Sequence, residues 1–371
     1  MRALILIDEM FGTCERALIE RLEIGLRDEG VEVSIAVPEQ LAATGRFDLL
    51  GQAYGYRQSR IAPVRKLVAH RLARDLLKGS ERDPLDLVHV FGGKAWDLGL
   101  DIAANTGASV VFELWRAGLV PRVKAVRPPR NVRFVAAVPG RSIEREVLRE
   151  SHGVQVRLAP WGGIVSPERT RVFREGREIG IVMVGNGGDT ANCRAAFDGI
   201  AQVLAARDNT MLFIDAFAAD RAGLWKRAKQ AGVRRSVSVI DHLEDRRDLI
   251  LRCDLLVSPE SRREHRTILL DAMGAAVPVI AGADETIDIL EVPDISVQVR
   301  AGTATDWARA VESLVGDPQR ARELGEAARR HISENQRWSR YVASVCDIYE
   351  WMCKPSETAG TTGTASDSGS A

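Results

Sequence analysis

Short apolar runs alternate with helix-length amphipathic segments from the first residue to about residue 350, and this constrains the fold more than any other feature. Such alternation requires parallel strands buried on both faces and covered by helices. The first unit predicts a strand over Arg2–Ile7, a loop around Phe11-Gly12-Thr13, and a helix from about Cys14 to Glu29. Leu18, Leu22 and Leu26 fall four apart in that helix and form one apolar stripe. Gly30 ends it, and Val31–Val37 makes the next strand. Further buried strands are expected at Asp86–Phe91, Ser109–Leu114, Val132–Val138 and Val154–Ala159.

The pattern restarts after Pro160-Trp161-Gly162-Gly163. The charged stretch Glu168–Glu178 reads as a linker, and a new series begins at Ile179–Val184. A glycine-rich turn follows at Gly185-Asn186-Gly187-Gly188, then a helix from about Asn192 to Arg207. Strands are expected at Met211–Asp215, Ser236–Ile240, Asp254–Ser258 and Val277–Ala281, with helical sequence from about Asp306 to Trp351. From Pro355 onward Ser, Thr, Gly and Ala dominate, which predicts a disordered tail. A chain of 371 residues exceeds one ordinary core and suits two domains.

Lys plus Arg equals Asp plus Glu at 51 each, so no net charge draws the chain to nucleic acid or an anionic membrane. Cys14, Cys193, Cys253, Cys346 and Cys353 are dispersed, with no CxxC and no spacing suited to zinc. They read as reduced thiols of a cytoplasmic protein. The opening residues form a strand rather than a signal peptide, and no stretch approaches the ~18 apolar residues of a membrane span.

Several landmarks, in order, resemble the GT-B glycosyltransferases of the "glycosyl transferases group 1" family. Asp86-Leu-Val-His-Val-Phe91 resembles an early strand of that family, and Pro160-Trp-Gly-Gly163 stands at its usual entry to the second half. Cys253-Asp-Leu-Leu-Val-Ser-Pro259, then Ile268-Leu-Leu-Asp271-Ala-Met-Gly-Ala-Ala-Val-Pro278, is similar to its central motif. Asp317-Pro318, Leu324-Gly325 and Trp338 resemble its closing helices. The resemblance implies an α/β fold of two Rossmann-like domains facing each other across a cleft. Their bounds would be 1–165 on the acceptor side and 166–338 on the nucleotide-sugar side. A closing helix over 339–354 would pack back on the first domain, ahead of a tail over 355–371.

It also implies transfer of a sugar from a nucleotide-diphosphate donor to a sugar, lipid-linked or small-molecule acceptor, with retention and with neither metal nor cofactor. A carboxylate in the first turns of the motif helix can hold a ribose, and a helix N-terminus favours phosphate. Asp271 is therefore the leading donor-binding residue. Arg266, Arg263 and Arg194 are candidates for the diphosphate, with Arg262 in the same cluster, and Gly185 and Gly187 for the phosphate turn. Gly12 is a candidate for close approach of substrate. Glu264, His265 and Glu113 are the candidate catalytic groups.

Two features depart from the family pattern. The position eight before Asp271 holds Arg263, with Glu264 beside it, and Phe112-Glu113-Leu114-Trp115-Arg116 carries no histidine. A non-catalytic GT-B relative that binds a sugar, a nucleotide or a protein is the alternative. His89 reads as a core histidine, and Trp115 as either core or acceptor pocket. Gly185–Gly188 lacks the GxGxxG spacing of a nicotinamide site.

Overall fold

The computed structural model describes residues 1–78, 84–151, 153–167, 170–300 and 302–354. The expected tail over 355–371 and the first two residues of the expected linker lie outside the described residues. Seven parallel strands form the first sheet: β1 (Arg2–Ile7), β2 (Glu32–Pro38), β3 (Tyr54–Tyr56), β4 (Leu87–Phe91), β5 (Ser109–Glu113), β6 (Phe134–Val138) and β7 (Val156–Leu158). Their order is β3-β2-β1-β4-β5-β6-β7. The second sheet is also parallel and has six strands: β8 (Ile179–Met183), β9 (Thr210–Asp215), β10 (Val237–Ile240), β11 (Leu255–Ser258), β12 (Val279–Gly282) and β13 (Val297–Val299). It runs β10-β9-β8-β11-β12-β13. Central strands are mostly apolar because both faces are covered. Ile5, for instance, stands level with Ile35 on one side and His89 on the other.

The chain order reverses between β1 and β4 in one sheet and between β8 and β11 in the other. At such switch points crevices open beyond the carboxyl ends of the strands. Here the two crevices face each other. Helix α1 (Glu9–Cys14) and helix α2 (Arg16–Asp28) replace the single helix and preceding loop expected from sequence. Asp8 is the reason: its side chain accepts the Phe11 N–H at 2.9 Å and caps a helical turn over Phe11-Gly12-Thr13. Strands β3 and β13 are additional to those read from the sequence.

The chain crosses between domains twice. The Gly163 N–H donates to Gln336 O at 2.8 Å, and the Trp338 N–H donates back to Gly163 O at 3.1 Å. A Cβ on Gly163 would stand 2.5 Å from Leu270 O, so only glycine allows the crossing to lie this close to the motif helix. After the second crossing, a closing helix over Trp338–Cys353 packs on α2 and β4 of the first domain. Its buried face is Tyr341, Val342, Val345, Ile348, Tyr349 and Met352. Among the described residues no helix is long and apolar enough to cross a membrane.

Candidate functional site

The motif helix spans Thr267–Gly274 and follows β11 at the second switch point, with every residue buried. Arg266, in extended conformation, precedes it and supplies no side-chain cap. The free N–H of Thr267 instead meets a carboxylate from the other domain. Glu15, at the junction of α1 and α2, accepts Arg266 Nε on one oxygen at 2.7 Å. Its other oxygen accepts Thr267 N at 3.2 Å and the Thr267 hydroxyl. The Glu15 side chain is completely buried. An anion at a helix N-terminus beside a guanidinium is the arrangement a phosphate would adopt. Here the anion belongs to the protein.

One turn further along, Asp271 is held by two arginines. Arg21 of α2 donates Nη1 and Nη2 to its two oxygens at 2.7 and 2.8 Å, a bidentate pair across the cleft. Arg247 adds a contact at 3.2 Å, and the Ile164 N–H donates at 3.3 Å. Burial alone would lower the Arg21 pKa, but the carboxylates of Asp271, Glu15 and Glu20 together outweigh it and the net shift is upward. Arg21 therefore stays charged. Asp271 is not available to a ribose in this arrangement, because both oxygens are already taken.

The remaining cluster is paired as well. Glu264 lies against Arg116 at 3.2 Å and Arg262 at 3.4 Å, and the Arg116 and Glu264 backbones form an antiparallel bridge between the domains. Arg263, at a positive φ of 58°, turns away to Glu146 at 2.5 Å and Thr286 at 3.0 Å. Gly185 and Gly187 both have positive φ, as a tight strand-to-helix turn requires. Their loop packs on Glu260, which accepts from Asn186 N and Asp189 N at 3.4 Å each. Between this loop and the motif helix remains a cavity of about 20 Å³, lined by Glu260, Arg262, Glu264 and Arg266. A second, of about 10 Å³, adjoins His265 and Trp161. Larger grooves lie at the opposite, amino ends of β8 and β9.

His265 sits inside this seam. Its backbone N–H donates to Trp115 O at 2.9 Å, and its ring lies 6.3 Å from Trp161. Burial pushes the imidazole pKa down to about 4, against opposing effects of Asp288, the Thr286 backbone and Asp284. An unfolded chain titrates this group near 6.5. The unfolded state thus binds more protons between those values. Stability from the neutral ring is complete above about 6.5 and is lost as pH falls toward 4. Urea denaturation should show a loss on the order of 3 kcal/mol across that window. His265→Leu should flatten this part of the profile; an unchanged slope would remove His265 as its cause.

Three candidates do not reach the cleft. Glu113 is a core residue, accepting Trp161 Nε1 at 2.6 Å and facing His89 Nε2 at 3.2 Å. Gly12 faces the packing of its own domain, since a Cβ there would meet Leu41 at 2.7 Å and Phe47 at 3.3 Å. Arg194 donates Nε to Ala222 O at 3.0 Å and lies along its own domain's surface. Trp115 is fully buried in an edge-on contact with Phe11, so it is core rather than an acceptor wall. His89 is a hydrogen-bonded core histidine, with Nδ1 2.9 Å from Tyr349 Oη. Sequence reasoning missed Glu15, Arg21, Arg247 and Glu260. For Glu15 and Arg21 the only signal is charge beside an apolar stripe, and Glu260 directly follows the strand-ending Pro259.

Two facing parallel α/β domains, crossed twice and closed by a helix returned to the first, define the GT-B architecture. A glycosyltransferase structure from Rickettsia africae superposes with a TM-score of 0.73, covering 96% of this chain and 99% of that one at 14% identity. Anabaena HepE, solved with UDP-glucose, superposes at 0.71, with 95% and 100% coverage and 13% identity. A putative UDP-N-acetylglucosamine 2-epimerase of Listeria monocytogenes also shares the fold, at 0.62 and 12% identity. At these identities the likeness is one of fold alone. Residues 168–331, which span most of the second domain, match the model of the family described as Glycosyl transferases group 1. Over 115 residues the chain is 28% identical to the alpha-maltose-1-phosphate synthase of Mycolicibacterium smegmatis, a match spanning only 28% of each protein.

Proposed function

We propose that the chain transfers a sugar from a nucleotide-diphosphate donor to an acceptor hydroxyl, with the donor held mainly by the second domain. The observation that carries this reading is the anion seat at the motif helix. Arg266 Nε and the Thr267 N–H converge on one carboxylate at a topological switch point, inside the segment that matches the family. A leaving diphosphate in that seat would be stabilised by the helix N-terminus and Arg266, with Arg262 nearby. That chemistry does not require a metal. Asp271 is one turn away, at the distance at which a ribose would follow its phosphate. Retention of configuration is part of the proposal by family kinship. HepE was solved with UDP and UDP-glucose, which makes uridine nucleotides the first to try.

A second reading rests on the filled cleft. Drug-sized ligands occupy pockets of roughly 300 Å³ or more, far above the spaces left beside Glu264 and His265. A GT-B relative that has abandoned turnover and keeps the two domains as one unit would look like this.

Calorimetric titration of the whole chain with UDP, GDP and ADP separates the two. The first reading expects one nucleotide to bind with a Kd of about 1 mM or tighter, and Asp271→Asn to weaken it about tenfold, ~1.4 kcal/mol. If no nucleotide binds to the protein or to the opened variants described below, the non-catalytic reading replaces it.

A further inference from the structure

The first domain places an anion and a hydrogen-bond donor at the two points where a nucleotide would place its diphosphate and its ribose hydroxyls. Glu15 sits on Thr267 N and Arg266, and Arg21 holds both oxygens of Asp271. Neither contact leaves room for a ligand. Glu15 and Asp271 have fully buried side chains, and the adjoining cavity is about 20 Å³. We propose that Glu15 and Arg21 form an internal plug in the donor site, so that a nucleoside diphosphate enters only after the domains part and both side chains withdraw. This rests on the donor reading above and adds its regulation.

The plug is matched by a latch at the rim. Asp245 of the second domain meets Arg46 at 2.7 Å and Arg16 at 3.4 Å, both from the first. Arg263 meets Glu146 at 2.5 Å, and the Arg141 and Ser142 N–H groups donate to Asp288 at 2.5 and 3.2 Å. The rim pairs are partly exposed and therefore individually weak. The plug pairs are enclosed. A ligand that competes for the enclosed seats must satisfy both at once, which a nucleotide can do: its diphosphate takes the place of the Glu15 carboxylate, and its ribose hydroxyls donate to Asp271 in place of the Arg21 guanidinium. Arg266, on the second domain, then remains at the seat as a cation for the diphosphate.

Glu15→Gln and Arg21→Met, singly and together, would be compared with the unaltered chain by small-angle scattering and by titration with UDP, GDP and ADP. Asp245→Asn serves as a rim variant that leaves the buried seats intact and so tests opening even if a plug variant fails to fold. The expected result is a larger radius of gyration and at least a tenfold gain in affinity for one nucleotide in the plug variants, with a smaller change of the same sign in Asp245→Asn. Equal nucleotide affinity in all chains would overturn the plug while leaving the donor reading in place. An unchanged radius of gyration in every folded variant would overturn it too. Variants that open yet bind no nucleotide would keep the latch and remove the donor reading beneath it.

Discussion

Asp271→Ala should lower the stability of the folded chain by about 3 kcal/mol, because it leaves the largely enclosed Arg21 and Arg247 without their buried counter-charge. A carboxylate waiting for a ribose in an open cleft would behave differently. Removing it would change stability by no more than about 0.5 kcal/mol, as for other exposed side chains. Urea unfolding followed by far-UV circular dichroism distinguishes the cases. A displaced midpoint is expected; an unmoved one would mean that the Arg21–Asp271 pair does not persist in solution. Asp271→Asn should lie between, since the amide keeps the shape and one acceptor but gives up the charge.

Glu113→Ala should have the next largest effect, at about 3 kcal/mol, from two unsatisfied partners and a buried void. Trp161 Nε1 and His89 Nε2 would both lose their acceptor, and neither is reached by solvent. Trp161 stands at the first domain crossing, and His89 contacts the closing helix through Tyr349. The same carboxylate therefore ties the hinge to the helix that returns from the second domain. Glu113→Gln should recover more than half of the loss, because it can still accept from the indole. If alanine there proved neutral, the buried network would have to be satisfied by water.

The strands were legible because a parallel sheet covered on both faces needs unbroken apolar runs, and few other structures do. Strands β3 and β13 escaped because three residues, Tyr54-Gly-Tyr56 and Val297-Gln-Val299, are too few to show a period. Helix α1 was hidden by Gly12 and Thr13, which read as a loop until Asp8 is recognised as a cap. The site was legible only on one side. Asp271, Arg266 and Glu264 could be found because they share one motif of a dozen residues. Their partners could not: Arg21 meets Asp271 across 250 positions of sequence, and Glu15 meets Arg266 across 251. No periodicity links charges that far apart, and only the closure of two sheets brings them together. Glu113 misled for a related reason. An acid ending a strand usually points to the crevice, whereas here Trp161 arrives from the crossing to enclose it.

The return of the closing helix to the first domain also sets an order of assembly during synthesis. Proteins made on ribosomes generally fold from the amino terminus, one domain after another. In this chain the first domain cannot be finished in that order, since Tyr341, Val345 and Tyr349 complete its interior and His89 waits for a partner 260 residues downstream. The second domain, by contrast, has all six strands once Val299 has emerged. The half that begins first therefore ends last, and until then a flank of α2 and β4 stays uncovered for as long as translation continues.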